Sequence, residues 1–350
     1  MYKKLSVILA ALLVFSMLLT ACAPKPETPV VEEAPEEATA KICQVTDVGG
    51  IDDKSFNATA WKGVEDAMVE FGVEGKYLES QQQADYEKNL NAFVEEGCDL
   101  IVPVGFLLAD ATAAAAEANP DQLYAIIDVD YLEFPNLRGS GFAINESTFL
   151  NGYLAAGMTK TGVVATYVGI AFPATTIFMD GFVLGVRHYN EVHGTDVKVL
   201  GWDYEAQDGL QVGNFESLDD GRAMAETLMD EDADIIMPVA GPVGAGTLAV
   251  MEERGTGMLV GVDNDWSLAY EAQADYVLSS AMKNMDKFVT ETAGMVVNGN
   301  FEAGNWIGTL ENGGVGITYG AKMGDKIPAE LLAELKELEA QIIAGEIATK

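Results

Sequence analysis

The sequence predicts an α/β protein of two doubly wound lobes with a ligand cleft between them, and three observations lead there. Short β-rich runs alternate with amphipathic stretches of helical period, the signature of βαβ units and parallel sheets. The alternation occurs twice, in series that correspond at one constant offset of 135 residues: "CDLIVPVG" at 98–105 echoes "ADIIMPVAG" at 233–241, and "YAIIDVD" at 124–130 echoes "LVGVDND" at 259–265. That offset pairs Asp99 with Asp234, Pro103 with Pro238, Asp128 with Asp263 and Asp130 with Asp265, which unrelated segments would rarely do. About 310 residues follow the N-terminal leader, more than one core usually holds.

In chain order, Lys3 and Lys4 precede the apolar run "LSVILAALLVFSMLLTA", which has signal-peptide length and is short for a permanent span. Its end, "LLTAC", resembles a bacterial lipobox, so residues 1–21 are expected to be removed and Cys22 to carry lipid. The protein is then exported and anchored to the cell membrane, facing the periplasm or the cell exterior. Residues 22–40 are rich in Pro, Glu and Ala without apolar periodicity and read as a disordered tether.

The first lobe is expected over 41–144 plus about 271–300, and the second over 145–265 plus about 303–350. In the first, "KICQVTDV", "KYLES", "DLIVPVG" and "LYAIIDVD" read as strands. Between the first two, Phe56, Ala60, Trp61, Val64, Ala67, Met68 and Phe71 form one helical face that Gly72 stops. In the second lobe the strands are "GVVATYVGI", "VKVLGWDY", "ADIIMPVAG" and "MLVGVDND". The later runs "DYVLSSAMK" and "NWIGTLENGGVGITYG" are too short for a third domain and complete the two sheets, with crossings between lobes near 265–275 and 300–305. A last helix from about Pro328 places Leu331, Leu332, Leu335, Leu338 and Ile342 at helical spacing to dock on the second lobe.

Several functions are excluded early. A formal charge of −35 repels nucleic acid and anionic lipid headgroups. Cys43 and Cys98 lack metal-ligand spacing, and spacing alone leaves open whether they are two buried thiols or a disulfide. His188 and His193, five apart, have no Cys or acidic partner at ligand spacing, so no metal or cofactor is expected. No G-x-S-x-G elbow is present, and an enzyme is not expected. "TDVGGIDDKSFNATAW" at 46–61 looks like a phosphate loop, yet Asp53 stands where glycine should precede Lys-Ser. Asp52 and Asp53 are expected to cap the following helix, whose dipole would lower their affinity for protons.

A ligand between two such lobes lies beyond the carboxyl ends of the strands. The expected lining is Thr46 and Asp47, Gly105 and Phe106, and Asp128 and Asp130 from the first lobe; the second offers Gly169 to Phe172, Met237 to Gly241, and Asp263 to Asp265. Carboxylates there accept hydrogen bonds from hydroxyl and N–H donors and can hold a vicinal diol, and aromatic rings suit a flat base or a sugar face. Anions are unwelcome.

Taken together, the 46–61 stretch, "VPVGF", "YAIIDVD", "FMDGFVLGVRHYN", "ADIIMPVAG", "VGVDND" and "LSSAMK" resemble, in order, the basic membrane protein family of bacterial lipoproteins. The resemblance implies a type I periplasmic-binding-protein fold with Rossmann-like lobes, and a receptor that binds a purine nucleoside and delivers it to the permease subunits of an ABC importer. It further implies that Asp47 bonds the base, Phe56 stacks on it, and Asp263 and Lys283 hold the ribose hydroxyls. Asn57, Phe106, Asp128 and Met237 would be further contacts, and Gly241 would allow close backbone approach. The chain departs from the family pattern at Met237, where phenylalanine is usual, in the turn "GPVGAG", and at Asn264 and Trp266, where the usual segment reads Asp-Ser-Asp-Gln. The receptor is expected to act as a monomer. The alternative is a membrane-anchored sensor or interaction protein of the same fold that binds a signal molecule or host component.

Overall fold

The computed structural model describes residues 39–350. The signal peptide, Cys22 and all but the last two residues of the tether lie outside the described residues.

The first lobe begins with β1 (Lys41–Val45), α1 (Phe56–Phe71), β2 (Glu74–Leu78), α2 (Asp85–Glu96), β3 (Leu100–Pro103), α3 (Ala109–Ala118), β4 (Leu123–Ile126) and β5 (Leu137–Phe142). The chain then enters the second lobe through α4 (Ile144–Met158), β6 (Val163–Val168), α5 (Pro173–His193), β7 (Lys198–Leu200), and the small hairpin of β8 (Trp202–Asp203) and β9 (Asp208–Gly209). There follow α6 (Leu218–Asp230), β10 (Ile235–Val239), α7 (Gly244–Arg254), β11 (Met258–Asp263), α8 (Trp266–Ala269) and β12 (Val277–Lys283). The last elements are α9 (Met285–Val297), β13 (Gly304–Gly308), β14 (Val315–Tyr319) and α10 (Ala329–Ile343).

The two six-stranded sheets run β13-β5-β4-β3-β1-β2 and β14-β12-β11-β10-β6-β7. Strand for strand the orders superpose, with β3 matching β10 and β4 matching β11, the pairs joined by the 135-residue offset. They differ at one edge: β13 runs parallel to β5, whereas β14 runs antiparallel to β12.

The expected lobe boundaries need correction. "DYVLSSAMK" stays in the second lobe, where β12 pairs with β11 and β14. It covers an edge of β11 that would otherwise be open, and it buries Val277, Leu278 and Ala281 while Ser279 Oγ donates to Asn151 Oδ1 of α4 at 2.6 Å. The chain leaves the second sheet only after Lys283. Helix α9 packs on α1, β13 completes the first sheet, and β14 returns to the second. The crossings therefore fall at 142–144, 283–285 and 308–315.

Local chemistry explains the elements that hold the cleft. Helix α1 buries Asn57, Thr59, Ala60, Gly63, Val64 and Ala67 and stops at Gly72, which adopts φ 70° and donates to Met68 O. Helices α4 and α5 cross with backbones nearly touching, since a Cβ at Gly152 would lie 2.1 Å from Phe182 O and one at Gly185 2.0 Å from Phe149 O. Helix α10 buries Leu331, Leu335, Leu338 and Ile342 against the second lobe. Cys43 of β1 and Cys98, just before β3, form a buried disulfide with Cα atoms 6.1 Å apart.

Candidate functional site: a cleft closed by both lobes

The carboxyl ends of the two sheets face one another across a cavity walled by residues of both lobes. Asp47 follows β1, Gly105 and Phe106 follow β3, Asp128 follows β4, and Phe56 and Asn57 open α1; all line it. From the second lobe come Gly241 after β10, Asp263 at the end of β11 and Lys283 at the end of β12. The short turns that end each strand put these side chains at one level, because parallel strands of a doubly wound sheet finish on the same edge.

Of the expected contacts, Met237 does not reach the cavity. It is fully buried in β10, on the same face as Val239, which does line the cavity, but two residues and roughly 6.6 Å further back along the strand. Asp130 and Asp265 also stand apart from this lining, and Asp265 caps α8 by accepting from Ser267 N–H at 2.9 Å. Phe172, Thr175 and Phe178 of the α5 entry complete one wall. Phe215 completes it as well. The sequence singled out neither Phe178 as a lining residue nor Phe215, which sits in a polar loop with no strand end to point to it.

The polar groups are ordered before any ligand contact is considered. Asp47 Oδ1 accepts from Asn57 Nδ2 at 2.7 Å and from Gly49 N–H at 2.9 Å, and Asp47 N–H donates to Asn57 Oδ1 at 3.2 Å. Its Oδ2 is turned toward Gly105, where a Cβ would stand 3.5 Å from that oxygen and 3.2 Å from the Phe56 ring. Gly105 holds φ 113°, a conformation that glycine tolerates best. Asp128 and Asp263, the pair linked by the internal repeat, both adopt left-handed backbone, φ 63° and φ 71°. A non-glycine residue there is uncommon and concentrates at functional sites.

Lys283 is the cavity's cation. Its Nζ lies 2.6 Å from Asp128 Oδ2 and within 5.1–5.4 Å of the ring centres of Phe56, Phe142 and Phe178. The ammonium is thus neutralised on one side and caged by aromatic faces on the others. Asp263 Oδ2 accepts from Ser55 Oγ at 2.7 Å. Burial raises the proton affinity of Asp47, Asp128 and Asp263, and Lys283 opposes that rise at the latter two.

At the helix start only Asp53 of the two adjacent acids caps. Its oxygens accept from the backbone N–H groups of Ser55, Asn57 and Ala58 at 2.7–3.0 Å, whereas Asp52 is exposed. The expected low proton affinity is reversed: burial lifts Asp53 to about 7, more than those hydrogen bonds lower it. The amides that could have gripped a phosphate are already taken.

Several contacts join the lobes directly. Besides Ser55 to Asp263 and Lys283 to Asp128, Asn264 Nδ2 donates to Lys54 O at 2.9 Å, and the Phe106 and Phe172 rings stack at 5.0 Å. At the rim, Lys54 Nζ sits 5.1 Å from the Tyr270 ring centre. This is a closed cleft.

Over residues 40–350 the sequence matches the family described as ABC transporter substrate-binding protein PnrA-like. The chain belongs to this family. Among relatives of the PnrA-like family, Basic membrane protein A of Borreliella burgdorferi is 34% identical over 313 residues, covering 88% of this chain and 86% of that protein. The ABC transporter nucleoside-binding protein BmpA of Lactococcus lactis is 29% identical, covering 88% of each. The crystal structure of an ABC transporter solute-binding protein from Aeropyrum pernix superposes with a TM-score of 0.79 at 27% identity, over 88% of this chain and 92% of that one. The two Rossmann-like lobes are those of type I solute-binding proteins. Proteins of this PnrA-like family are substrate-binding components of ABC transporters. The two histidines serve packing. His193 Nε2 lies 3.0 Å from Tyr153 Oη and 3.1 Å from Glu334 Oε2, tying α5 to α4 and α10 away from the cleft. No helix among the described residues is long and apolar enough to cross a membrane.

Proposed function

We propose that this protein is the receptor of a nucleoside importer: it closes its two lobes around one purine nucleoside and presents the closed form to a membrane permease. The observation that carries the reading is the composition of the cavity, in which three strand-end carboxylates and one paired ammonium face Phe56, Phe106, Phe172, Phe178 and Phe215. Rings bind the flat base, carboxylates accept from its N–H groups and from the sugar diol, and the site has no unpaired cation for a phosphate. The similarity to a nucleoside-binding protein of Lactococcus lactis supports the same ligand class.

In this reading Asp47, fixed by Asn57, accepts from the base edge, and Phe56 stacks on it. Asp263 and Lys283, with Asp128 behind the ammonium, hold the ribose hydroxyls. Phe106 and Gly241 complete the walls from opposite lobes. The receptor is tethered by lipid at Cys22 outside the cytoplasmic membrane and works as a monomer. Thermal melting tests the ligand: guanosine, inosine or adenosine should raise the midpoint and the matching monophosphate should do so less. Stabilisation by a sugar or an amino acid with none by any nucleoside would refute it.

A further inference from the structure

Asp53 is buried and borders the cavity, yet its carboxylate has no free position to offer a ligand. Oδ1 accepts from Ser55 N–H at 2.9 Å and Ala58 N–H at 3.0 Å, while Oδ2 accepts from Asn57 N–H at 2.7 Å and from Asn57 Nδ2 at 3.1 Å. These donors fill the roughly four acceptor positions of an ionised carboxylate. Three of them are backbone groups at the start of α1 and make the helix cap. The fourth is a side chain, which a cap does not require.

That side chain holds a second carboxylate. Asn57 Nδ2 also donates to Asp47 Oδ1 at 2.7 Å, and Asn57 Oδ1 accepts from Asp47 N–H at 3.2 Å. A nitrogen flanked by two carboxylates and an oxygen facing an N–H fix the amide in one orientation, since the flipped form would set oxygen against oxygen. Asp47 Oδ1 takes Gly49 N–H as well, at 2.9 Å, so Oδ2, the oxygen turned toward Gly105, is the one left for a ligand. The three side chains converge beside Gly49, where a Cβ would stand 3.1 Å from Asn57 Nδ2, 3.2 Å from Asp47 Oδ1 and 3.7 Å from Asp53 Oδ2. Asp47 repels the charge on Asp53, and the shared amide offsets that repulsion.

We propose that Asp53 is a positioning residue of the binding site: through Asn57 it fixes which oxygen Asp47 presents to the ligand, a role separate from its capping of α1. The inference rests on the reading that Asp47 meets the ligand. Without Asp53 Oδ2, one hydrogen of the buried Asn57 amide has no acceptor, and turning the amide to find one withdraws its nitrogen from Asp47. Asp47 is then free to rotate and must be ordered again whenever a ligand binds. The loss falls on affinity, not on the fold.

Asp53→Ser separates the two roles, because a hydroxyl still accepts from the backbone N–H groups of the turn but supplies no second oxygen for Asn57. In titration calorimetry with the purine nucleoside that stabilises the parent most, this variant should bind about tenfold more weakly, with circular dichroism unchanged. Asp53→Asn, which keeps the shape but only one accepting oxygen, should lose a similar amount and serves if the serine variant does not fold. A double-mutant cycle discriminates the roles. In an Asn57→Ala background, Asp53→Ser should weaken binding by less than about threefold, because the intermediary is gone. Losses that multiply to about a hundredfold, or equal affinity in the parent and Asp53→Ser, overturn the positioning role. A ligand-free readout keeps this distinct from the nucleoside reading: the Asn57 side-chain N–H signals, assigned by their loss in Asn57→Ala, should exchange with water about tenfold faster in Asp53→Ser. Unchanged exchange overturns the positioning role whatever the ligand, whereas faster exchange in a protein that binds no nucleoside refutes the ligand alone.

Discussion

Asp128 and Asp263 carry left-handed backbone because each ends a strand and must turn its carboxylate back into the cleft, a cost the repeat has kept in both lobes. Removing one of these groups should cost affinity rather than fold. Asp263→Ala is expected to weaken nucleoside binding about ten- to hundredfold, and Phe56→Ala about tenfold, with circular dichroism unchanged. Titration calorimetry checks both; unchanged affinity in either variant removes that residue from the site. Asp53 gives a pH prediction. Its carboxyl takes up a proton at about 7 in the folded chain and near 3.8 when unfolded, so the native state holds the extra proton between those values. Its contribution to stability is therefore present below about pH 4 and is lost as pH rises toward 7. Urea midpoints across that range should fall less steeply for Asp53→Asn than for the parent, although the variant's baseline is lower because an amide replaces one of two accepting oxygens. An equal slope would contradict the assignment. Residues at strand ends were legible from sequence because short β-rich runs between helical stripes say where strands stop. Met237 was not, since the family pattern gives a position but not its depth below the strand end, and Phe215 lies in a loop that no period describes.

At the scale of elements, the α4–α5 crossing depends on two positions without side chains. Gly185→Ala would push a Cβ against Phe149 O, where no flexible group can yield, and should cost about 1–3 kcal/mol by urea denaturation. A loss within error would mean that the crossing relaxes easily. The Cys43–Cys98 bond closes a loop of sequence separation 55 and ties β1 to the entry of β3. Reduction should lower stability by about 2–4 kcal/mol on the chain-entropy view. Two cysteines spaced this way could not declare a bond in the sequence, because the parallel pairing of Cys43 with Ile101 that draws Cys98 close is a tertiary fact. The misplaced crossing has a similar cause: β12 reads as a generic buried strand, and only the open edge of β11 decides which sheet takes it.

For the whole molecule, the constant 135-residue offset made the two-lobed plan readable, and the shared strand order is its structural counterpart. What the offset could not convey is that closure is clasped by neighbouring residues, Lys54 and Ser55 of one lobe on Asp263 and Asn264 of the other. A ligand that engages Asp263 thus acts on the same residue that latches the lobes, and three chain crossings give the lobes a hinge. Ser55→Ala removes a hydroxyl that points at Asp263 and should shift the population toward an open form, with a larger radius of gyration in solution scattering and affinity about tenfold weaker. An unchanged radius and affinity would deny the clasp a role. The central claim is the ligand, and a competition decides it. A native mass spectrum of the purified protein, incubated with an equimolar mixture of purine nucleosides, their monophosphates, hexoses and amino acids, should show one added purine nucleoside per chain. A chain that instead carries a sugar, an amino acid or a nucleotide would contradict the account.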